Sequence, residues 1–270
     1  MDTALANNVI LVTGSSSGIG ACTARAFAAE GARLVIHGNK NIDAANDLAA
    51  ELGVDALVVQ ADLTKKPQVK RMYSEVLERF GQIDAVVSNT GAWNSKPAPI
   101  HELGLRRWEE SLALNLTAHF LGAREYFRYL DERRPDQASL VFVGSSAAVF
   151  GEANHADYAA AKSGVVYGLT RTLKNEIVKL VPKGRVNTVN PGWTATNIVD
   201  RALDDHDTVN RILQTRALRR IARPEDVANA IVYLSSPALA AHVTGETWNV
   251  NGGMEGRIVH SPSEIDPADA

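Results

Sequence analysis

Along the chain, short runs of β-branched and aliphatic residues alternate with longer stretches whose apolar positions recur at helical spacing. The runs are VILVT (9–13), RLVIH (33–37), ALVVQ (56–60), DAVVS (84–88), SLVFVG (139–144), RVNTVN (185–190) and TWNV (247–250). Most are almost continuously apolar, as parallel strands covered on both faces must be. Between them, 18–30, 44–52, 67–80, 106–130 and 157–180 have helical composition. Seven strands separated by helices predict an α/β fold, a doubly wound parallel sheet with right-handed crossovers. No linker, repeat or low-complexity tract interrupts residues 5–255, so one domain is expected over 1–256.

Two regions break the rhythm. Residues 194–217 (including IVDRALDDHDTVNRILQTRA) are polar, charged and poorly periodic, and read as a mobile helical insertion over a site. They end before Pro224-Glu225-Asp226, which should start a helix with proline in its first turn. The second region, the polar tail 257–270, has little to bury and is read as frayed or docked onto a neighbour.

Charge removes several function classes. The 28 Lys and Arg nearly balance 31 Asp and Glu, and Glu264, Asp266 and Asp269 in the last ten residues account for the net −3. A neutral body lacks the basic face that nucleic acid demands. Cys22 is the single cysteine, so neither an internal disulfide nor a cysteine-rich zinc site is available. No apolar run approaches the roughly 20 residues of a membrane span. The opening MDTALANN has an acid and no base, unlike a secretory leader, and a cytoplasmic location is expected.

The first predicted strand runs into Thr13-Gly14-Ser15-Ser16-Ser17-Gly18-Ile19-Gly20 and then an alanine-rich helix. Glycines here let backbone approach a pyrophosphate while the helix N-terminus offers free N–H groups. With Thr13, Gly14, Gly18 and Gly20 in the pattern T-G-x-x-x-G-x-G, the chain resembles the short-chain dehydrogenases/reductases over roughly residues 5–255. The resemblance implies a Rossmann-like fold and an NAD(P) cofactor held by Gly14, Gly18, Ile19 and Gly20. It also implies adenosine contacts from Asp62 and Leu63, and contacts from Asn89 and Gly91 in Asn89-Thr90-Gly91, where Thr90 replaces the family alanine. For Asp62, a helix N-cap is the ordinary alternative. Pro191-Gly192 with Thr194 and Thr196, matching P-G-x-x-x-T, would fix the nicotinamide carboxamide; the segments 244–246 and 250–253 fit the family's closing strand. NAD-preferring relatives carry Asp where this chain has Gly38. Asn39, Lys40, Ser15 and Ser17 can serve a 2′-phosphate, so NADP(H) is favoured over NAD(H), although Lys40 could equally be a solvated lysine.

Tyr158 and Lys162 lie four apart at the start of a helix, hence on one face. An ammonium beside the phenol is expected to lower the tyrosine's pKa toward the range useful in acid–base catalysis. Thirteen residues earlier stands Ser145, which the resemblance assigns to polarising a substrate carbonyl, with Ser146 as the alternative register. Asn115, a single amide in an apolar helix, completes the family tetrad, where it would hold a water beside the lysine; the plain alternative is a core amide. Trp93, Asn94, Phe150, His155, Trp193 and the insertion are candidates for the substrate wall. The function implied is interconversion of a secondary alcohol and a carbonyl compound, with a small-molecule substrate and no metal, nucleic acid or membrane. A catalytically idle nucleotide-binding protein is the alternative. The seven histidines lack paired metal spacing, and no G-x-S-x-G nucleophile elbow is present. Arg216, Arg219, Arg220 and Arg223 read as a solvated helix end. Val165, Val166, Leu169 and Leu173 place apolar residues on more than one helix face, which suggests a homotetramer or a dimer.

Overall fold

The computed structural model describes residues 1–196, 205–258 and 260–264. Its sheet is seven-stranded, all parallel, in the order β3-β2-β1-β4-β5-β6-β7: β1 Val9–Val12, β2 Arg33–Gly38, β3 Ala56–Gln60, β4 Ala85–Ser88, β5 Gln137–Val143, β6 Lys183–Pro191 and β7 Thr247–Val250. Successive side chains of a strand face opposite layers. Val9 and Leu11 accordingly join Met72, Val76, Tyr126, Leu130 and Ile177 on one face. Ile10 and Val12 join Ala24, Phe27, Leu48, Val227 and Ile231 on the other. The first layer is built by α3 (Lys66–Phe80), α5 (Ala118–Arg133) and α8 (Thr170–Leu180), the second by α1 (Gly18–Ala29), α2 (Ile42–Leu52) and α10 (Pro224–Ser235). The order reverses between β1 and β4, and a crevice forms there at the carboxyl ends of the strands.

The two long helical segments are each interrupted. The first consists of α4 (Leu105–Leu112), a π-helical turn over Ala113–Thr117 and then α5; the second of α7 (Ala156–Ser163), a π turn over Gly164–Leu169 and then α8. Side chains take part in both departures. Asn115 binds the Ala92 backbone from the first, and Thr170 donates to the carbonyl of Val165, five residues back, from the second. A short helix, α6 (Ser146–Phe150), was not anticipated; Ser145 caps it by accepting from the Ala147 N–H at 3.1 Å.

Several expectations change. Val165 and Val166 are buried, while Leu169 and Leu173 pack against the chain's own core, so these four give no argument for a partner; Leu105, Phe120, Tyr167 and Val178 are the large exposed apolar residues of those helices. Arg216 is only 1% exposed, not solvated, and burial pushes it down to about 10. Arg220 pairs with Asp226 at the start of α10. Among the described residues of 194–217 the helical part is α9 (His206–Gln214), whose Val209, Ile212 and Leu213 pack with Ile221 and Trp193; residues 197–204 lie outside the described residues. The described part of the tail rests on this chain itself: the His260 N–H donates to the Gln214 carbonyl and Arg219 to that of Glu264. No helix among the described residues is long and apolar enough to cross a membrane.

Candidate active site

At the sheet's switch point lies a cavity of about 450 Å³. One end is the turn between β1 and α1, where Gly14 and Gly18 take φ of +65° and +54°. Both are left-handed conformations that a side chain would resist. Ser17 makes no side-chain cap, so the first N–H groups of α1 face the cavity unclaimed by a capping side chain. His37 locks this turn to β2. Its Nδ1 accepts from the Gly14 N–H and its Nε2 donates to the Ala61 carbonyl, both at 2.9 Å, while burial holds its pKa below the usual value. Asn89 ties the same turn to β4 by donating to the carbonyls of Thr13 and Gly14. The Thr90 hydroxyl, which replaces a methyl in the family pattern, is buried without a partner among the described residues.

Gly14, Ser17, Gly18, Ile19, Gly20, Asn39, Lys40, Asn89, Gly91, Pro191, Gly192, Thr194 and Thr196 all line the cavity, as do His37 and Ser16. Ser15 does not. Its hydroxyl bonds the Val12 carbonyl and the His37 N–H inside the turn, so it is no phosphate ligand. Asp62 and Leu63 also lie off the wall. The Asp62 carboxylate accepts from the backbone and hydroxyl of Thr64, a local turn rather than the N-cap of α3, which is Lys65. Gly38 needs correction as well. A Cβ there would meet the Asn41 carbonyl at 3.2 Å and Ala45 at 3.3 Å, so a side chain at 38 points at the start of α2. The absence of acid at 38 therefore says little about the cofactor. More informative is the wall itself, where among the described residues Glu152 is the one carboxylate and stands among the residues of the other end.

That other end gathers Ser145, Tyr158 and Lys162. Lys162 is 2% exposed; its Nζ donates to the Val143 carbonyl at 2.9 Å and sits 5.9 Å from the Tyr158 ring centre. Burial pushes Lys162 down to about 8. The Tyr158 phenol is held above its usual value, mainly by burial; a hydrogen bond with Ser145 partly offsets this, and the nearby Glu152 carboxylate adds to it. The expected lowering of the tyrosine by Lys162 is thus outweighed, because burial disfavours the charged form of both groups. Asn115, 1% exposed, lies behind the wall: its amide bonds both backbone groups of Ala92, as a core amide would.

Trp93 and Trp193 also line the cavity, with ring centres 6.4 Å apart. His155 is behind the wall, stacked on Trp93 at 3.8 Å with its ring nitrogens on the carbonyls of Ala153 and Asn94. Phe150, 40% exposed, and Asn94 are also off the wall. Glu152, which the sequence reading missed, carries a carboxyl raised above its usual pKa by burial, with a smaller opposing effect from His155.

A parallel sheet with its glycine turn at the switch point, facing a Tyr–Lys pair four residues apart, defines a nucleotide-dependent oxidoreductase. The chain belongs to the short-chain dehydrogenase/reductase family: the family model described as "Enoyl-(Acyl carrier protein) reductase" matches residues 14–255. A 3-oxoacyl-[acyl-carrier-protein] reductase of Synechocystis sp. is 34% identical over 93% of this chain and 98% of its own. The cis-4-hydroxycyclohexanecarboxylate dehydrogenase of Sinomonas cyclohexanicum is 36% identical over 94% and 98%. Among solved structures, a 7α-hydroxysteroid dehydrogenase complexed with NADH and 7-oxo glycochenodeoxycholic acid superposes with a TM-score of 0.86 at 26% identity, covering 95% of this chain and 98% of that one.

Proposed function

We propose that the protein interconverts a secondary alcohol and a ketone or aldehyde with NADP(H), using Tyr158 as general acid and base. The observation that carries this reading is the convergence of Ser145, Tyr158 and Lys162 on the wall that the glycine turn also lines. The residues suit a dinucleotide. The uncapped start of α1 matches a pyrophosphate, and buried Lys162, with one N–H on the Val143 carbonyl, keeps a further donor for a ribose hydroxyl. When bound, the nicotinamide supplies or accepts the hydride and, oxidised, adds a positive charge that favours phenolate. Ser145 would donate a hydrogen bond to the carbonyl oxygen, stabilising the negative charge that grows there. In reduction the Tyr158 phenol gives that oxygen its proton; in oxidation the phenolate removes it. Lys162 favours the phenolate electrostatically, and the two tryptophans supply a flat apolar wall.

Lys40 and Asn39 line the turn end with no acid beside them among the described residues of the wall, which supports NADP(H), although the steroid dehydrogenase is complexed with NADH. Helix α9, whose apolar face packs with Trp193, would adjoin the substrate side. We further propose a homotetramer in the cytoplasm; exposed Phe120, Tyr167 and Val178 supply apolar surface for subunit contacts. The test is a panel of 3-oxoacyl thioesters, cyclic ketones and hydroxyketones followed by NADPH absorbance. Turnover of at least one ketone is the expected result. Tight NADPH binding with no turnover across the panel would favour an idle nucleotide-binding protein.

A further inference from the structure

On α5, four residues past Asn115, the structure carries a histidine for which no role has been assigned. His119 is 1% exposed, in a layer otherwise built from Ala118, Leu121, Ala123 and Tyr126. An apolar side chain would fill this place without the cost of burying two ring nitrogens. Lys162 faces it from α7, Ser88 from β4, the Thr90 carbonyl from the following loop and the Phe142 ring, 5.9 Å away, from β5. No carboxylate is among these groups. Nδ1 lies 2.7 Å from the Ser88 hydroxyl and Nε2 lies 3.5 Å from the Lys162 ammonium. An ammonium can only donate. Nε2 must therefore present its lone pair, Nδ1 must carry the proton, and that proton goes to the Ser88 oxygen.

We infer that His119 is a positioning residue for Lys162: a neutral imidazole, oriented by Ser88, that takes one ammonium N–H and leaves another directed at the cavity. The inference rests on the proposed roles of Tyr158 and Lys162. With the Val143 carbonyl holding one N–H and His119 a second, the third has the cavity as its remaining direction. Asn115, to which the family resemblance gives a place beside the lysine, has its amide committed to Ala92. Burial and the neighbouring ammonium both keep the imidazole uncharged, burial more strongly. It therefore acts as an acceptor and adds no opposing charge.

In the unmodified protein, ¹⁵N-histidine NMR should find His119 protonated on Nδ1 alone at pH 7; a proton on Nε2 would overturn the inference without any reference to activity. His119→Leu should lower kcat/KM for alcohol oxidation about tenfold, the scale of one lost hydrogen bond to a charged group. It should also move the acidic limb of the pH profile up by roughly one unit, because a less protonated Lys162 stabilises the phenolate less. His119→Gln, which offers an amide oxygen toward Nζ, should restore most of the rate and the limb. A folded His119→Leu protein with an unmoved limb would make His119 a core residue only. Should that variant fail to fold, the tautomer in the unmodified protein decides. Full activity in Tyr158→Phe would instead defeat the underlying reading while leaving the tautomer assignment intact.

Discussion

The Lys40 end of the cavity is mostly backbone: two glycines at positive φ, the uncapped start of α1, and His37 and Asn89 bracing the turn from β2 and β4. At the Tyr158 end the working groups are side chains, several buried, and their pKa values are moved by burial before any charge acts on them. Backbone recognition tolerates exposure because N–H groups and a helix terminus do not change charge. Proton transfer needs dry, mutually adjusted groups, so small changes there should cost far more than changes at the turn.

The largest effect should come from Lys162. Replacing it with Met should reduce turnover by a hundredfold or more, yet stabilise the cofactor-free protein. A lysine depressed from 10.5 to about 8 binds fewer protons folded than unfolded between those values, so its burial costs stability at neutral pH, and that cost fades as pH rises from 8 toward 10.5. Lys162→Met should gain about 3 kcal/mol at pH 7, shrinking toward pH 10, read by denaturant melts. An equal gain at both pH values would contradict the account. Gly91→Ala is next. Its Cβ would stand 2.9 Å from the Asn115 Oδ1 and 3.1 Å from the Lys162 Nζ, and a displaced ammonium should reduce kcat about tenfold or more. Unchanged steady-state kinetics would show that the spacing is not critical.

Glu152→Gln tests the substrate wall. Its charge should disfavour anionic substrates, so the variant should improve kcat/KM for a cyclic hydroxycarboxylate about tenfold relative to its carboxamide. The discrimination in the unmodified protein should fade as pH falls through the raised Glu152 pKa. The smallest effect belongs to the turn. Lys40→Ala should weaken kcat/KM for NADPH roughly fivefold and leave NADH unchanged, since one solvated lysine contributes little. Asn39→Asp, on the wall where Gly38 is not, should reverse the preference; equal losses with both cofactors would remove the phosphate role of Lys40.

The same contrast governs what could be read from residue order. The turn was legible because positive φ demands glycine and a helix must follow, and Tyr158 with Lys162 because spacing of four defines a helix face. The seven strands stood out through their apolar runs. His37, His119 and Glu152 carry no local pattern; their roles depend on which strand or helix lies opposite. The direction of Gly38 and the internal use of Ser15 depend on register, which composition does not encode. Val165 and Val166 misled because the chain itself covers both: Val165 joins the core beneath the sheet and Val166 lies against Gly144.

The central claim, that Tyr158 handles the proton at a site which binds cofactor independently of it, is tested most directly by Tyr158→Phe. NADPH titration by fluorescence and single-turnover hydride transfer should be measured on the same preparation. The account predicts unchanged NADPH affinity with a transfer rate reduced by about a thousandfold. Hydride transfer at near-normal rate in the folded variant would contradict it.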